Sequence, residues 1–231
     1  MTSGEEPSYG FVRTNALSLG FGAVFVVTLV GQAISGVADF NAQQVTDGLE
    51  PVGLLDYVTS SSFMVDVMEN WQSEYLQFFL FVFATVWLVQ RGSTESKEPG
   101  EEGTGSDREQ RIGRHAQADS PAWAKGGGWR TTLFSRSLGI VMGVFFLLSW
   151  LAQSVAGRAA YNAQQLRAFQ DPLGFWEYLA APDFWNRTLQ NWQSEFLAIL
   201  SMAVLSIYLR QRGSPESKPV GAAHSATSVE G

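Results

Sequence analysis

The chain contains no cysteine among its 231 residues, which excludes a disulfide framework, a thiolate metal site and a thiol nucleophile. It has only two histidines, His115 and His224, and both lie in polar stretches where we expect solvated side chains. Charged residues make up 16% of the chain, below the roughly 25% typical of soluble proteins. The net charge of −7 argues against nucleic-acid binding. Phosphate-loop, dinucleotide, zinc and serine-triad motifs are also missing, so the sequence predicts no catalytic residue, metal or cofactor.

The chain does contain one sequence pattern twice. Residues 11–99 align with residues 132–220 at a constant offset of 121, with no gap and with 28 identities in 89 positions. Apolar residues have mostly drifted between the copies, whereas polar blocks have not, as expected for a hydrogen-bonded network. We call these blocks the NAQQ box (residues 41–44 and 162–165), the NWQSE box (70–74 and 191–195) and the RGS turn (90–97 and 211–218).

Each copy also contains two apolar segments, and a helix needs about 20 such residues to cross a bilayer. No charged residue falls between Arg13 and Asp39. The matching third segment lies deep inside the chain, so we interpret the first as a retained helix and not a signal peptide. The sequence therefore predicts an all-α integral membrane protein, with four transmembrane helices in two tandem repeats that cross in the same direction. The predicted spans are residues 16–36, 73–89, 137–157 and 194–209.

Lysine and arginine predict the orientation of these spans. The loop of residues 37–72 contains neither, and the matching loop contains only Arg158, Arg167 and Arg187. The positive-inside rule then places both termini and the central linker in the cytoplasm and both polar loops outside. The predicted segments are a disordered N-terminal tail (1–10), membrane repeat 1 (11–97), a disordered cytoplasmic linker (98–129), membrane repeat 2 (130–220) and a disordered C-terminal tail (221–231).

Each outer loop carries signals for a short helix. An acidic residue followed by Pro51 or Pro172 is typical of a helix start, and the residues that follow are apolar and aromatic. We expect a short helix in the membrane interface of each loop, where aromatic side chains prefer to lie. Pro182 is then expected to begin the next long helix.

The NWQSE box places polar side chains on one helical face, because Asn70, Ser73 and Glu74 are three and four residues apart. Only 14 residues separate Glu195 from Arg210, too few for a full crossing. Glu195, and by the repeat Glu74, is therefore expected near the outer membrane boundary. We predict that amides and serines of both copies surround these two carboxylates. The candidate polar site comprises Gln32, Asn41, Gln43, Gln44, Asn70, Gln72, Ser73, Glu74, Gln153, Asn162, Gln164, Gln165, Asn191, Gln193, Ser194 and Glu195.

Several functions fit this site. In one, the polar groups satisfy one another and hold membrane helices or a partner together. In another, the carboxylates and amides bind a small cation or polar solute in a channel or transporter component. An enzyme with two carboxylates as acid and base is a weaker option. The expected partner is the lipid bilayer, and conduction would favour a homo-oligomer because four helices leave only a narrow pore.

The RGS turn ends the second helix of each copy. Its glycine suits a helix stop, and its basic residues suit the cytoplasmic membrane surface. More residues are retained than a helix stop requires, which indicates that the turn could bind a partner or lipid headgroups. The residues of this cytoplasmic turn are Arg91, Gly92, Ser93, Glu95, Lys97, Arg212, Gly213, Ser214, Glu216 and Lys218.

The three blocks together resemble a family of small bacterial membrane proteins that is known as a domain of unknown function. The resemblance covers residues 11–220. It implies a bacterial origin and a plasma-membrane location, and it implies no activity, ligand or catalytic residue.

Overall fold

The computed structural model describes residues 10–229. Within this range 64% of the chain is helical and no strand occurs, so the prediction of an all-α protein is confirmed. The predicted N-terminal tail lies, apart from Gly10, outside the described residues, as do the last two residues of the predicted C-terminal tail.

Four long helices and five short ones form the described part of the chain, with one 3-10 turn at Gly113–His115. The four long helices carry the NAQQ and NWQSE boxes, and an RGS turn follows two of them. In chain order the helices are α1 (Phe11–Thr14), α2 (Ala16–Thr46), α3 (Leu54–Val58), α4 (Ser61–Ala84), α5 (Ala122–Lys125), α6 (Gly128–Phe134), α7 (Ser137–Arg167), α8 (Phe175–Leu179) and α9 (Pro182–Tyr208).

Two of the long helices, α2 and α7, are long and apolar enough to cross a membrane, judged by length and composition. Each has 31 residues, and their most apolar windows have mean hydropathies of 2.0 and 1.9. None of that window is buried in α2, and 17% of it is buried in α7. Exposed valine, leucine and phenylalanine side chains therefore cover most of both helices, as a lipid environment requires.

Helices α4 and α9 are polar in their first halves and apolar in their second halves. The predicted spans at residues 73–89 and 194–209 form only the second halves. Helix α4 stops at Ala84, five residues before the predicted end of its span. There the chain continues in turns, with the N–H groups of Val86 and Trp87 bonded to the carbonyls three residues earlier, and the Val86 carbonyl accepts a bond from the Gly103 N–H at 2.7 Å.

The two short loop helices exist, but their predicted first residues are wrong. Helix α3 begins at Leu54 and α8 at Phe175, three residues after each proline. The intervening segment is held extended by the NAQQ box, as described below, and this engages backbone groups that a helix would use. The prediction for the next helix is confirmed, because α9 has Pro182 as its first residue.

By its contacts the chain divides into two units, residues 1–64 and 65–231. In the first unit α2 and α3 pack together, with the rings of Phe40 and Tyr57 5.5 Å apart. The second unit has a small aromatic core around Tyr178 and Phe184. There α4 packs on α7, since the Tyr75 ring lies 5.0 Å from a phenylalanine ring of α7.

The linker of residues 98–129 contains the 3-10 turn, α5 and the start of α6, joined by turns. The Thr131 hydroxyl donates to the carbonyl of Trp123 at 2.7 Å, which fastens α6 to α5. A cavity of about 710 Å³ lies here, lined by residues such as Arg111 and Arg136. The domain boundaries and the disorder assigned to the linker and tail stay predictions.

Candidate polar site

The asparagine of each NAQQ box binds the loop that follows its helix. Asn41 donates from Nδ2 to the Val52 carbonyl at 2.9 Å and accepts from the Val52 N–H at 2.8 Å. Asn162 makes the same pair of bonds with Leu173, at the same two distances. Each amide therefore pairs with both backbone groups of one residue and holds the loop extended. These two asparagines have a structural role.

The glutamines of the NAQQ box are less engaged. Gln43 donates to the carboxylate of Asp39 at 2.9 Å on the surface of α2. Gln44 is buried, and its Oε1 has no partner among the described residues. In the second copy Gln164 is exposed and Gln165 half-buried. The box does not gather its amides at one point.

A glycine and a tyrosine brace the same loop in both copies. A Cβ at Gly36 would overlap the hydroxyl of Tyr57, and a Cβ at Gly157 would lie 2.5 Å from the hydroxyl of Tyr178. Only glycine therefore lets α3 and α8 approach so closely. The Tyr178 hydroxyl also donates to Asp183 at 3.2 Å. Burial raises the pKa of Tyr178, and the charge of Asp183 adds to the rise.

The NWQSE boxes lie mid-helix in α4 and α9, and one bond joins them. The indole Nε1 of Trp192 donates to Oε1 of Gln72 at 2.8 Å. Gln72 and Ser73 are almost fully buried, at 0% and 1% exposure. Their counterparts Gln193 and Ser194 are exposed. The same five letters therefore occupy two different environments.

The asparagines and serines of the NWQSE boxes bond mainly to their own helix. Asn70 and Asn191 each donate to the carbonyl four residues earlier, at 2.7 and 2.9 Å. Ser73 and Ser194 each donate to the carbonyl three residues earlier, at 2.8 Å. Such back-bonds use the donor groups of these side chains within their own helix.

The structure does not gather the amides of the boxes around the two carboxylates. Glu74 is exposed and Glu195 is half-buried, and within residues 10–229 no hydrogen bond joins either one to a box amide. Gln153 is buried and bonds to Thr188 at 3.3 Å, whereas Gln32 is half-buried. No group of three or more His, Asp or Glu that could hold a metal occurs in the described residues.

A charge cluster that the sequence reasoning missed lies ahead of the apolar half of α4. The guanidinium of Arg187 contacts Glu69 at 3.1 Å, Asp66 at 3.5 Å and Asp183 at 3.6 Å. Burial raises the pKa values of Asp66 and Glu69, although the nearby Arg187 opposes the rise. A signal was present in the sequence, because Asp66 and Arg187 occupy matching positions 121 apart with opposite charge.

The RGS turns have the same internal bonds in both copies. The backbone N–H of Gln90 donates to the hydroxyl of Ser96 at 2.7 Å, and that of Gln211 to Ser217 at 2.9 Å. A second bond in each turn runs from the glutamate N–H to the first serine hydroxyl at 3.2 Å. The first turn has its glycine, Gly92, at φ 85°. These bonds explain why more than a helix stop is retained.

The buried lysine of the second turn connects it to the first turn and to the tail. Lys218 is 1% exposed, and its Nζ donates to the Gly92 carbonyl at 2.6 Å. It also donates to three carbonyls of the tail, at residues 223, 224 and 226. The first-copy lysine, Lys97, donates to the Gly103 carbonyl. In contrast, Arg91 and Arg212 are exposed, with no side-chain partner among the described residues.

These features define an all-helical protein with two helices that could span a membrane and with polar blocks that bind mainly the chain itself. The chain belongs to the family described as Domain of unknown function (DUF6766), whose model matches residues 8–229. The predicted membership in an uncharacterised family is thereby confirmed. No curated protein and no solved structure matches the chain.

Proposed function

We propose that this chain is a multi-pass protein of a bacterial plasma membrane, with four spans and with both termini and the linker in the cytoplasm. Helices α2 and α7 support two of the spans by composition. Helices α4 and α9 have 24 and 27 residues, or about 36 and 40 Å at 1.5 Å per residue. Both are long enough to cross the about 30 Å of a hydrocarbon core with the polar first turns of each helix in the outer headgroup layer.

The proposed membrane unit is duplicated. Helices α2 and α7 begin and end 121 residues apart, as do α3 and α8, and α4 and α9 begin 121 apart. The loop bonds of Asn41 and Asn162 and the internal bonds of the RGS turns repeat at the same spacing. A tandem repeat of two parallel hairpins accounts for all of these coincidences.

In this proposal the protein has a non-catalytic structural or interaction role, and its polar boxes hold the fold together. The observation that carries this role is the identical pair of bonds from Asn41 and Asn162 to the following loops. Residues retained in both copies are thus engaged with the chain itself. Arg91 and Arg212 of the RGS turns are exposed and have no side-chain partner among the described residues, so they suit an acidic partner or lipid phosphate.

A second candidate is a channel or transporter component with Glu74 and Glu195 at its outer mouth. The bond between Gln72 and Trp192 sets α4 and α9 side by side, almost in the register of the repeat. The two glutamates, two and three residues further on, are then level with each other. Carboxylates that are not paired with amides remain available to a small cation or polar solute.

Reconstitution into liposomes separates these two candidates. For the structural role we expect no flux above that of empty liposomes across a panel of ions and small polar solutes. We also expect the E74Q/E195Q variant to fold and melt like the wild type. A channel would instead show flux in the wild type that the double variant loses while its thermal unfolding is unchanged. That result would replace the first proposal by the second.

Cysteine labelling tests the topology. Thr46 is exposed at the end of α2, so a T46C variant should react with a membrane-impermeant maleimide in intact cells. The matched control is Q211C in the second RGS turn, which should react only after the cells are permeabilised. The opposite pattern would reverse the proposed orientation.

A further inference from the structure

Two glutamines of the second unit each have one amide group buried without a partner. Gln72 is 0% exposed, and its Nε2 has no hydrogen-bond partner among residues 10–229. Gln153 is 1% exposed, and its Oε1 is equally unpaired. Their other amide atoms are bonded, to Trp192 and Thr188 respectively. Buried polar groups in native proteins are almost always satisfied, so each unpaired group needs an explanation.

The two glutamines reach neighbouring positions on α9. Thr188 and Trp192 are four residues apart on α9, and such residues are neighbours on one helical face. The two glutamines that bond to them therefore converge on the same turn of α9, Gln72 from α4 and Gln153 from α7. The contacts between α4 and α7 agree. Tyr75 packs on Phe145 and Val65 lies beside Gly157, so the two helices run antiparallel. This pairing places Gln153 about one turn from Gln72 along the helix axes.

The orientation of the amides restricts what can lie between them. An indole N–H can only donate, so the Oε1 of Gln72 must face Trp192 and its NH2 group must point elsewhere. A threonine hydroxyl donates or accepts, so Gln153 can present either amide atom beside it. A group that bonds to both amides must therefore accept from the Gln72 NH2 group, and it can donate to or accept from Gln153. Water meets both conditions, whereas a cation cannot accept from Gln72.

A third buried group without a partner belongs to α7, the helix that carries Gln153. Trp150 lies three residues before Gln153 on α7, on the same helical side, and its Nε1 has no acceptor among the described residues. A buried water typically makes about three hydrogen bonds. Two N–H donors and one amide of Gln153 would supply that number.

We propose that α4, α7 and α9 enclose an ordered water that bridges Gln72 and Gln153 and accepts from Trp150. This site depends on the packing of the three helices, and it is independent of whether the protein conducts. It hydrates the interior of the bundle at the NWQSE box of the first copy. The second copy has no equivalent, because Gln193 is exposed.

A high-resolution structure of the full chain tests the site directly. We expect one density peak within hydrogen-bond distance of both Gln72 and Gln153, with no anomalous signal after exchange into a thallium salt. Direct bonding between the two amides, or rotation of both towards other protein groups, would overturn the proposal. A thallium signal at the peak, or density for a larger solute, would overturn it as well.

Thermal unfolding of Q72M, Q153M and the double variant provides a second test. Each single change leaves the water and the other amide with a missing partner, so we expect the double variant to lose less in Tm than the two single losses added together. The matched control is Q193M, where we expect no loss. Additive losses would contradict a shared water. If a variant does not fold, the wild-type map decides the matter.

Discussion

The two copies of the repeated pattern make the same contacts within each copy, whereas they differ where their second long helices meet. Asn41 and Asn162 hold their loops with equal bonds, and Gly36 and Gly157 each admit a tyrosine. Along α4 and α9, in contrast, Asp66 in the first copy corresponds to a residue of opposite charge in the second. The contacts within each copy are therefore alike, whereas those between α4 and α9 depend on positions that differ between the copies.

This difference makes α4 and α9 complementary. Arg187 contacts Asp66, which is its own matching residue in the other copy, and Glu69, whose counterpart is the neutral Gln190. Thr188, which bonds to Gln153, corresponds to Val67. Two identical helices could not form these pairs, because like charges would then face each other. The charges therefore favour the pairing of α4 with α9 over the pairing of either helix with a second helix of the same sequence.

Reversing the charge of Arg187 should have the largest effect on stability. The R187E variant places a fourth carboxylate among Asp66, Glu69 and Asp183. We expect the free energy of unfolding to fall by a little less than the about 3–5 kcal/mol typical of a broken buried ion pair, because the Arg187 side chain is 34% exposed. Denaturant unfolding in detergent micelles measures this loss.

Exchanging the two charges provides the control for R187E. The D66R/R187D variant carries the same charges at exchanged positions, so it should recover part of the loss. Recovery stays partial because Asp183 then lies beside a second aspartate one turn away. If the exchanged variant is as unstable as R187E, the complementarity of α4 and α9 does not depend on this pair.

Removing the asparagine of the NAQQ box should cost less and should cost the same in each copy. N41A and N162A each remove two hydrogen bonds and leave the N–H and carbonyl of Val52 or Leu173 without a partner. We expect about 1–3 kcal/mol for each variant, together with faster hydrogen exchange in the loop of the altered copy. The exposed Gln164 of the same box is the matched control, and Q164A should change neither quantity. Unequal losses would show that the loops are not equivalent.

Much of the fold could be predicted from the sequence, because apolar length and an internal repeat are strong signals. The starts of α2 and α7 at residues 16 and 137 and the start of α9 at Pro182 follow from such patterns, whereas α2 and α7 continue ten residues beyond the predicted ends of their spans. The starts of α3 and α8 do not, because a hydrogen bond from an asparagine 11 residues away holds each preceding segment extended. The end of α4 at Ala84 was not predicted either, because the apolar run continues past it while the chain turns and bonds to Gly103 of the linker.

The candidate site was predictable only in part. The sequence identified Gln72 and Gln153, which are buried, but it treated them as equal to Gln193 and Gln32. Their different burial arises from how three helices pack, and identical letters cannot show it. The Arg187 cluster cannot be predicted from retained residues, because it depends on Asp66 and Arg187, a matching pair of positions that differs between the copies.

Alanine in place of the mid-helix glycines compares the packing of α2 and α7. A Cβ at Gly143 would lie 3.2 Å from the Phe79 ring, whereas a Cβ at Gly22 would meet nothing within 4 Å. We expect G22A to stabilise the protein by about 0.5–1 kcal/mol, the usual gain for alanine over glycine inside a helix. In G143A the close contact should cancel that gain. Thermal unfolding of both variants measures the difference, and equal shifts would mean that α4 does not restrict Gly143.

The smallest expected effect is a pH dependence at Glu69, which lies ahead of the apolar half of α4. Burial raises its pKa above the ordinary 4.5, although Arg187 opposes the rise. The folded chain therefore binds this proton more tightly than the unfolded chain does. The stability that results is fully present below pH 4.5 and is lost as the pH rises through the folded-state pKa.

Glutamine keeps the shape of the protonated form and cannot titrate, so Tm should fall less in E69Q than in the wild type between acidic and neutral pH. Q190E places a carboxylate at the matching exposed position of the other copy and should add no such dependence. If E69Q and the wild type lose the same Tm, Glu69 is not desolvated, and the asymmetry between α4 and α9 depends on the attraction of charges alone.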